Sequence, residues 1–423
     1  MSDSQLINIV DVICHSFRHQ DPRLINHGER VAYILMKMLA DTSYYTKQEK
    51  QDIFMLGLLH DIGAYKKEEI DSMLSFDMND AMKHSIFGYL LFRNFSPLTT
   101  YADVILYHHH CNAQYYSAPI SNYHRDMARL IYLADRIDIF CVVNGTEGLS
   151  SFLDKYGEAT FSAANIRWFR EANEKYHILD QIQNNSYQEE LIRYTKEQIV
   201  LSEEEIHQYL MTFIFSVDFR SEYTALHTSD AVCLSKIFSD TLDLSSSVCK
   251  TIQLATLLHN IGKVCISSDL ADSKDYDHYL KELYQNSTLD ITKQILSGSV
   301  DIQIIKVIEE SFLILKCWTE QNNLSFSPSL AGEIVALSYL ISNILTNDQA
   351  LSSHSKLMDY LEEKYQTCHM NTTILSSLEE HFHDIIEQAQ KSCTAVSRTY
   401  HHVMDEFHFL STILLHYNSK YEF

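Results

Sequence analysis

The chain repeats itself. Near its start it reads INHGERVAYILMKML and then FMLGLLHDIGAYK; in its second half it reads TALHTSDAVCLSKIF and then QLATLLHNIGKVC. His27 aligns with His227 at an offset of 200, and His60 aligns with His259 at an offset of 199. A third block, FLDKYGEATFSAANI from Phe152, aligns with YLEEKYQTCHMNTTI from Tyr360. Three separated blocks in one order, at a near-constant offset, point to duplication of a whole domain. At 423 residues the chain has room for both copies.

Each copy reads as helical. Val31, Ile34, Leu35, Met38 and Leu39 share one face at the 3.6-residue period, as do Phe87, Leu90, Leu91 and Phe95, and Leu130, Ile131, Ala134 and Ile137. Period-two alternation is not found. Only 10 glycines and 4 prolines occur, far too few for the tight turns a strand-rich fold demands. The fold class is therefore all-α. Between the copies, about Glu171 to Val217, runs a polar stretch rich in Glu, Gln, Asn and Tyr without Gly or Pro, which reads as a helical connector. The expected division is a first domain over 1–175, a connector over 176–217 and a second domain over 218–423.

The formal charge of −23 argues against binding a nucleic-acid duplex along a broad surface, while leaving room for a small phosphorylated ligand if a metal supplies local positive charge. The 9 cysteines show no CxxC pair, so they read as reduced, mostly buried thiols and not as a zinc cluster. No basic leader opens the sequence, and no apolar run approaches the ~18 residues of a membrane span. A cytoplasmic protein without membrane attachment is the expectation.

Histidine is the unusual entry in the composition, with 22 copies that fall in clusters. In the first half His27 opens an amphipathic helix, His60-Asp61 ends the apolar segment Ile53 to Leu59, and His84 opens HSIFGYLLF. His108, His109 and His110 follow the apolar DVILY, and Asp135 lies inside LIYLADRIDIF. Imidazoles and carboxylates are costly to bury unless paired or bound to metal, and helices can converge them from separate segments. Taken singly, a histidine on an apolar face is more often a core or capping residue than a ligand, Asp135 could cap a helix or pair with Arg136, and the triple His could be a solvated loop. Mixed His and Asp donors suit Fe, Mn, Zn or Mg.

LLHDIG with an upstream His and a downstream LAD resembles the HD superfamily of metal-dependent phosphohydrolases. The added KHSIFGY and YHHH segments are similar to its HD-GYP subgroup, whose members are bacterial cyclic-dinucleotide phosphodiesterases. The resemblance covers residues 20–170 and, in degraded form, 220–385, so it implies two tandem HD-type domains. It implies His27, His60, Asp61 and Asp135 as ligands of the basic site, with Asp61 bridging two metals. It also implies His84 and two of the three successive histidines at a second position; the place after ILY favours His108 and His109. Two divalent ions per chain follow, Fe or Mn first and Zn or Mg next, together with hydrolysis of a small cyclic nucleotide or cyclic dinucleotide by a metal-bridging hydroxide. Asp61, Lys66, Lys67 and Arg136 are the candidate catalytic residues; the three cations could equally be solvated surface charges. Two departures bear on the substrate. Ala64 stands where the subgroup has Lys, and CNAQYYSAPISNY lacks the Gly-Tyr-Pro segment.

The second copy keeps His227, His259 and Lys263, but Asn260 replaces the aspartate, Thr288 falls near the place of His84, Glu310-Ser311 near the histidine pair, and Tyr339 opposite Asp135. It is expected to be structural, dimer-forming or regulatory. The alternative for the whole chain is a non-catalytic module that uses the fold to bind a nucleotide or a protein.

Overall fold

The computed structural model describes residues 6–20, 26–64, 78–111, 114–116, 118–219, 222–265, 278–347, 353–368, 370 and 372–418. Among them the regular structure is helical, apart from one isolated antiparallel bridge between Ile7 and Val300. None of these helices is long and apolar enough to cross a membrane. The chain divides into two compact units, the first formed by Gln20–Ser216 with Met404–Phe423, the second by Met1–His19 with Val217–Val403.

The first unit is built on α2 (His27–Leu39), α3 (Lys47–Leu59), α4 (Met78–Phe95), α5 (Ala102–Tyr107) and α6 (Asn122–Asn144). A capping box sets the start of α3. Thr46 Oγ1 accepts from the Glu49 N–H at 3.3 Å while Glu49 returns the bond to Thr46 N–H at 2.7 Å. Ser121 caps α6 through the His124 N–H, and Gly145, at φ 72°, ends it. α2 and α3 cross closely because residue 28 is glycine. A Cβ there would stand 2.5 Å from the carbonyl oxygen of Leu58. That contact brings the first residue of α2 beside the end of α3. α7 (Leu149–Thr160), α8 (Ala163–Tyr176), α9 (Ile178–Gln183), α10 (Tyr187–Gln198) and α11 (Glu203–Asp218) continue the chain.

The stretch expected as a connector is corrected here. Residues 176–217 contribute to three helices, and up to Ser216 they belong to the body of the first unit. Tyr187, Leu191 and Thr195 of α10 are buried at four-residue spacing; Tyr187 packs on Tyr33, and Lys37 pairs with Glu190. Polar composition hid a narrow apolar stripe that α2 covers.

In the second unit α12 (Glu222–Thr241) packs on α13 (Ser246–Leu258) and α16 (Leu330–Asn347), with α14 (His278–Leu296) and α15 (Ile302–Glu320) completing the core. α17 (His354–Thr367) and α18 (Thr373–Glu380) follow. The termini depart from the expected boundaries. α1 (Ile9–Gln20) docks within the second unit, where His15 Nδ1 meets the Ile295 carbonyl at 3.0 Å and Asn8 N–H donates to the Ser299 carbonyl at 2.7 Å. The last helix, α19 (Phe382–Asn418), belongs to the second unit up to Val403 and to the first from Met404, where Phe407 meets Phe87 edge-on at 6.1 Å. The cysteine reading also needs correction. Cys317 and Cys368 form a disulfide, their Cα atoms brought to 6.6 Å by the ends of α15 and α17, across a sequence separation of 51 that no local motif reveals.

Candidate metal centre

Five segments of the first unit deliver the side chains that meet at Asp61. His27 comes from the N-terminus of α2, His60 and Asp61 from the turn after α3, His84 from α4, His108 and His109 from the end of α5, and Asp135 from the middle of α6. Gly63 lets that turn lie against α4, since a Cβ there would stand 2.1 Å from the His84 carbonyl oxygen and 2.6 Å from the Gly88 nitrogen. His27, His60, His84, His108, His109 and Asp135 are all buried.

The two oxygens of Asp61 face different groups. Oδ2 lies 3.5 Å from His27 Nε2 and 3.1 Å from His60 Nε2. Oδ1 lies 3.3 Å from His84 Nε2, 3.5 Å from His108 Nε2 and 3.9 Å from His109 Nε2. Asp135 Oδ1 closes the first group at 3.4 Å from His27 Nε2, and its Oδ2 is 3.7 Å from His109 Nδ1. Within His27, His60 and Asp61, and again within Asp61, His84, His108 and His109, one donor atom from every residue lies within 4.8 Å of the others.

Ring orientation fixes which nitrogens are free to bind. His60 Nδ1 faces the Gly57 carbonyl at 2.8 Å, His108 Nδ1 the Ile105 carbonyl at 2.6 Å, and His27 Nδ1 the Asp138 carboxylate at 2.7 Å. A carbonyl or carboxylate only accepts, so each Nδ1 carries the proton and each Nε2 presents a lone pair to the centre. Those same atoms (His27, His60 and His108 Nε2, both oxygens of Asp61, and Asp135 Oδ1) are buried without a hydrogen-bond partner. Buried polar atoms are seldom left so, and a cation satisfies all of them at once. The donor set fits a divalent metal of the Fe, Mn or Zn type.

The electrostatics agree. Burial alone would raise the Asp61 carboxyl, yet the neighbouring imidazoles of His60, His108 and His27 hold it well below the usual carboxylate range. Burial likewise opposes charging His27, but Asp135, Asp138 and Asp61 outweigh it and raise its pKa well above the ordinary value. The field at this point favours positive charge.

Arg136 is buried, not a solvated surface charge. Its Nε and Nη2 lie 2.9 and 2.8 Å from Asp135 Oδ2, and its guanidinium lies over Tyr132. His110 stands apart from the cluster, packed against Tyr107 and Tyr115, with burial pushing its pKa down to about 4. Lys66 and Lys67 lie outside the described residues. Sequence reasoning missed Asp138 and Arg30. Both follow a cluster residue by three positions, Asp135 and His27 respectively, and that one-turn spacing was the available signal.

In the second unit the corresponding place is closed. A Cβ at Gly262 would stand 2.2 Å from the Thr288 carbonyl oxygen, so Thr288 holds the place that His84 holds beside Gly63. His227 Nδ1 meets Ser342 Oγ at 2.9 Å, and Ser311 bonds the Ile308 carbonyl much as His108 bonds that of Ile105. The Tyr339 ring stands edge-on to both His227 and His259, at 4.4 and 4.7 Å. Burial and the charge of Lys263 hold His227 well below its ordinary value, and burial pushes His259 down to about 3.

Residues 24–139 match the HD domain family. The 3'3'-cGAMP-specific phosphodiesterase 1 of Vibrio cholerae is 28% identical over 271 residues, covering 57% of this chain and 59% of that protein. This chain thus spans less than two thirds of the length of the curated relative it matches. A solved cyclic GMP-AMP specific phosphodiesterase of V. cholerae, V-cGAP3, is similar at 16% identity and a TM-score of 0.48, over 92% of this chain and 95% of that one. The stretch that matches the HD domain family, residues 24–139, carries His27, His60-Asp61, His84, His108, His109 and Asp135.

Proposed function

We propose that the first unit is a metal-dependent phosphodiesterase that holds two divalent cations, Fe or Mn by preference, and cleaves a small cyclic nucleotide. One observation carries the reading: Asp61 turns one oxygen to His27 and His60 and the other to His84, His108 and His109. That is how a carboxylate must lie to share itself between two ions. Two such ions supply Lewis acidity toward phosphoryl oxygens and lower the pKa of an attacking water toward neutrality. The chain's own residues hold the geometry. Asp61 and Asp135 supply the anionic donors, His27, His60 and His108 hold their Nδ1 protons and turn Nε2 to the centre, and Arg136 pins Asp135.

The charge balance supports an anionic substrate. Asp61, Asp135 and Asp138 face Arg30 and Arg136 across a buried site. Protein charge there is therefore near balance, and any bound divalent cations make it positive. A phosphodiester would be drawn to that point even in a chain of formal charge −23. Within the class, a cyclic dinucleotide is the first candidate, because the curated relative acts on 3'3'-cGAMP. The second unit we read as a second HD-type domain without a metal site, serving structure or regulation.

A panel of cyclic dinucleotides, cyclic mononucleotides and linear nucleotides, run on Mn- and Fe-loaded protein, tests this. The expected result is a linear dinucleotide product whose formation stops with chelator. Metal-loaded protein that binds a cyclic dinucleotide but turns over nothing in the panel would make the chain a binding module instead.

A further inference from the structure

We infer that Arg30 and Asp138 form a positioning relay that holds His27 ready to bind metal. The inference rests on the two-cation reading above and assigns a role to residues outside the ligand set. Asp138 is buried on α6, one turn after Asp135. Its Oδ2 lies 2.7 Å from His27 Nδ1, and its two oxygens accept from Arg30 Nε at 2.5 Å and Arg30 Nη2 at 2.9 Å. Arg30 lies on α2 one turn after His27, so the relay ties α2 to α6 on the far side of the imidazole from Asp61. Two consequences follow. The proton stays on Nδ1, so that Nε2 is the atom left to bind metal where it faces Asp61 and Asp135; and a ring anchored through Nδ1 keeps its orientation toward the centre.

The second unit shows the same positions without the relay. Ser342 replaces Asp138 opposite His227, and Asp230 replaces Arg30 one turn after His227. Asp230 is paired instead with Cys393. The unit that lost its aspartate bridge, with Asn260 in place of Asp61, also lost the charged support behind its first histidine. A carboxylate–guanidinium pair retained only for packing would have no reason to disappear together with the ligands.

Asp138→Asn keeps the shape and an acceptor for His27 while removing the charge; Asp138→Ala removes both. Titration of metal-free protein with Mn2+ should show one of two binding events weakened about 10- to 100-fold by Asp138→Ala and less by Asp138→Asn. The event assigned to Asp61, His84, His108 and His109 should stay within a few-fold. A second measurement needs no variant. In the 15N-labelled full-length chain without metal, His27 Nδ1 should carry a slowly exchanging proton held by Asp138. Unchanged affinity at both positions in folded variants, or an Nε2–H tautomer in the natural chain, would overturn the relay while leaving the metal centre intact. Absence of Mn2+ binding by the natural chain would overturn the two-cation reading and the relay with it.

Discussion

The two units place corresponding residues in opposite electrostatic settings. In the first, Asp61, Asp135 and Asp138 surround His27 and favour positive charge. In the second, Asn260, Tyr339 and Ser342 stand at those places and Lys263 suppresses charge on His227 and His259. The crossing of the helices has changed as well. Gly28 and Gly57, where α2 and α3 meet, correspond to Thr228 and Thr256, and the first-to-second histidine distance grows from 5.2 to 6.0 Å. An aromatic ring fills the widened space. The two units thus differ in the candidate ligands, in the groups behind them and in the residues at the helix crossing, and the second buries no carboxylates at the corresponding places that a cation would have to neutralise.

The sharpest way to break this comparison is to delete the shared carboxylate on each side. Asp61→Ala should lower phosphodiester hydrolysis roughly a thousand-fold or more, since ligands of one centre act as a unit. Asn260→Ala should leave turnover within about three-fold, and equal losses in a steady-state assay would mean that the active unit is misassigned. Metal removal comes next. Chelation should lower the melting temperature of the natural chain, with re-addition of Mn2+ at a thousand-fold excess over its Kd restoring about 4 kcal/mol. Asp61→Ala should be insensitive to the same treatment in a calorimetric scan.

Tyr339→Ala should open a void between His227 and His259 and cost about 2–4 kcal/mol without changing kcat. A measured loss of turnover would show instead that the second unit takes part in the chemistry. The smallest effect is expected at Asp230, whose carboxyl is pushed up by burial to about 7. The folded state holds a proton that the unfolded state releases near pH 4, so this group makes stability fall as pH rises between about 4 and 7. Asp230→Asn should flatten that part of the denaturation profile, and a slope unchanged by the substitution would remove Asp230 as its source.

Much of this architecture was legible in the sequence, and what was not has a common cause. His27, His60-Asp61, His84 and Asp135 announced themselves because each lies at the edge or centre of an apolar helical run, where a polar side chain needs a reason. Asp138 and Arg30 were passed over because their partners are more than a hundred residues away in one direction and one turn away in the other. Only the packing of α2 on α6 joins them. The same holds for the choice among three successive histidines, which depended on where α5 ends, and for α10, whose apolar stripe is three residues wide.

The sequence by itself determined the helices and the residues able to bind a cation. Periodicity, capping and the cost of burying polar groups are local properties that survive without knowledge of the fold. Tertiary structure alone decided how those residues face one another. It set Asp61 between two groups of histidines, turned Arg136 inward onto Asp135, and assigned α1 and the end of α19 to the units distant from them in sequence. Such pairings depend on the orientation of whole helices, and orientation is fixed by side chains meeting across long sequence distances, which no local pattern encodes.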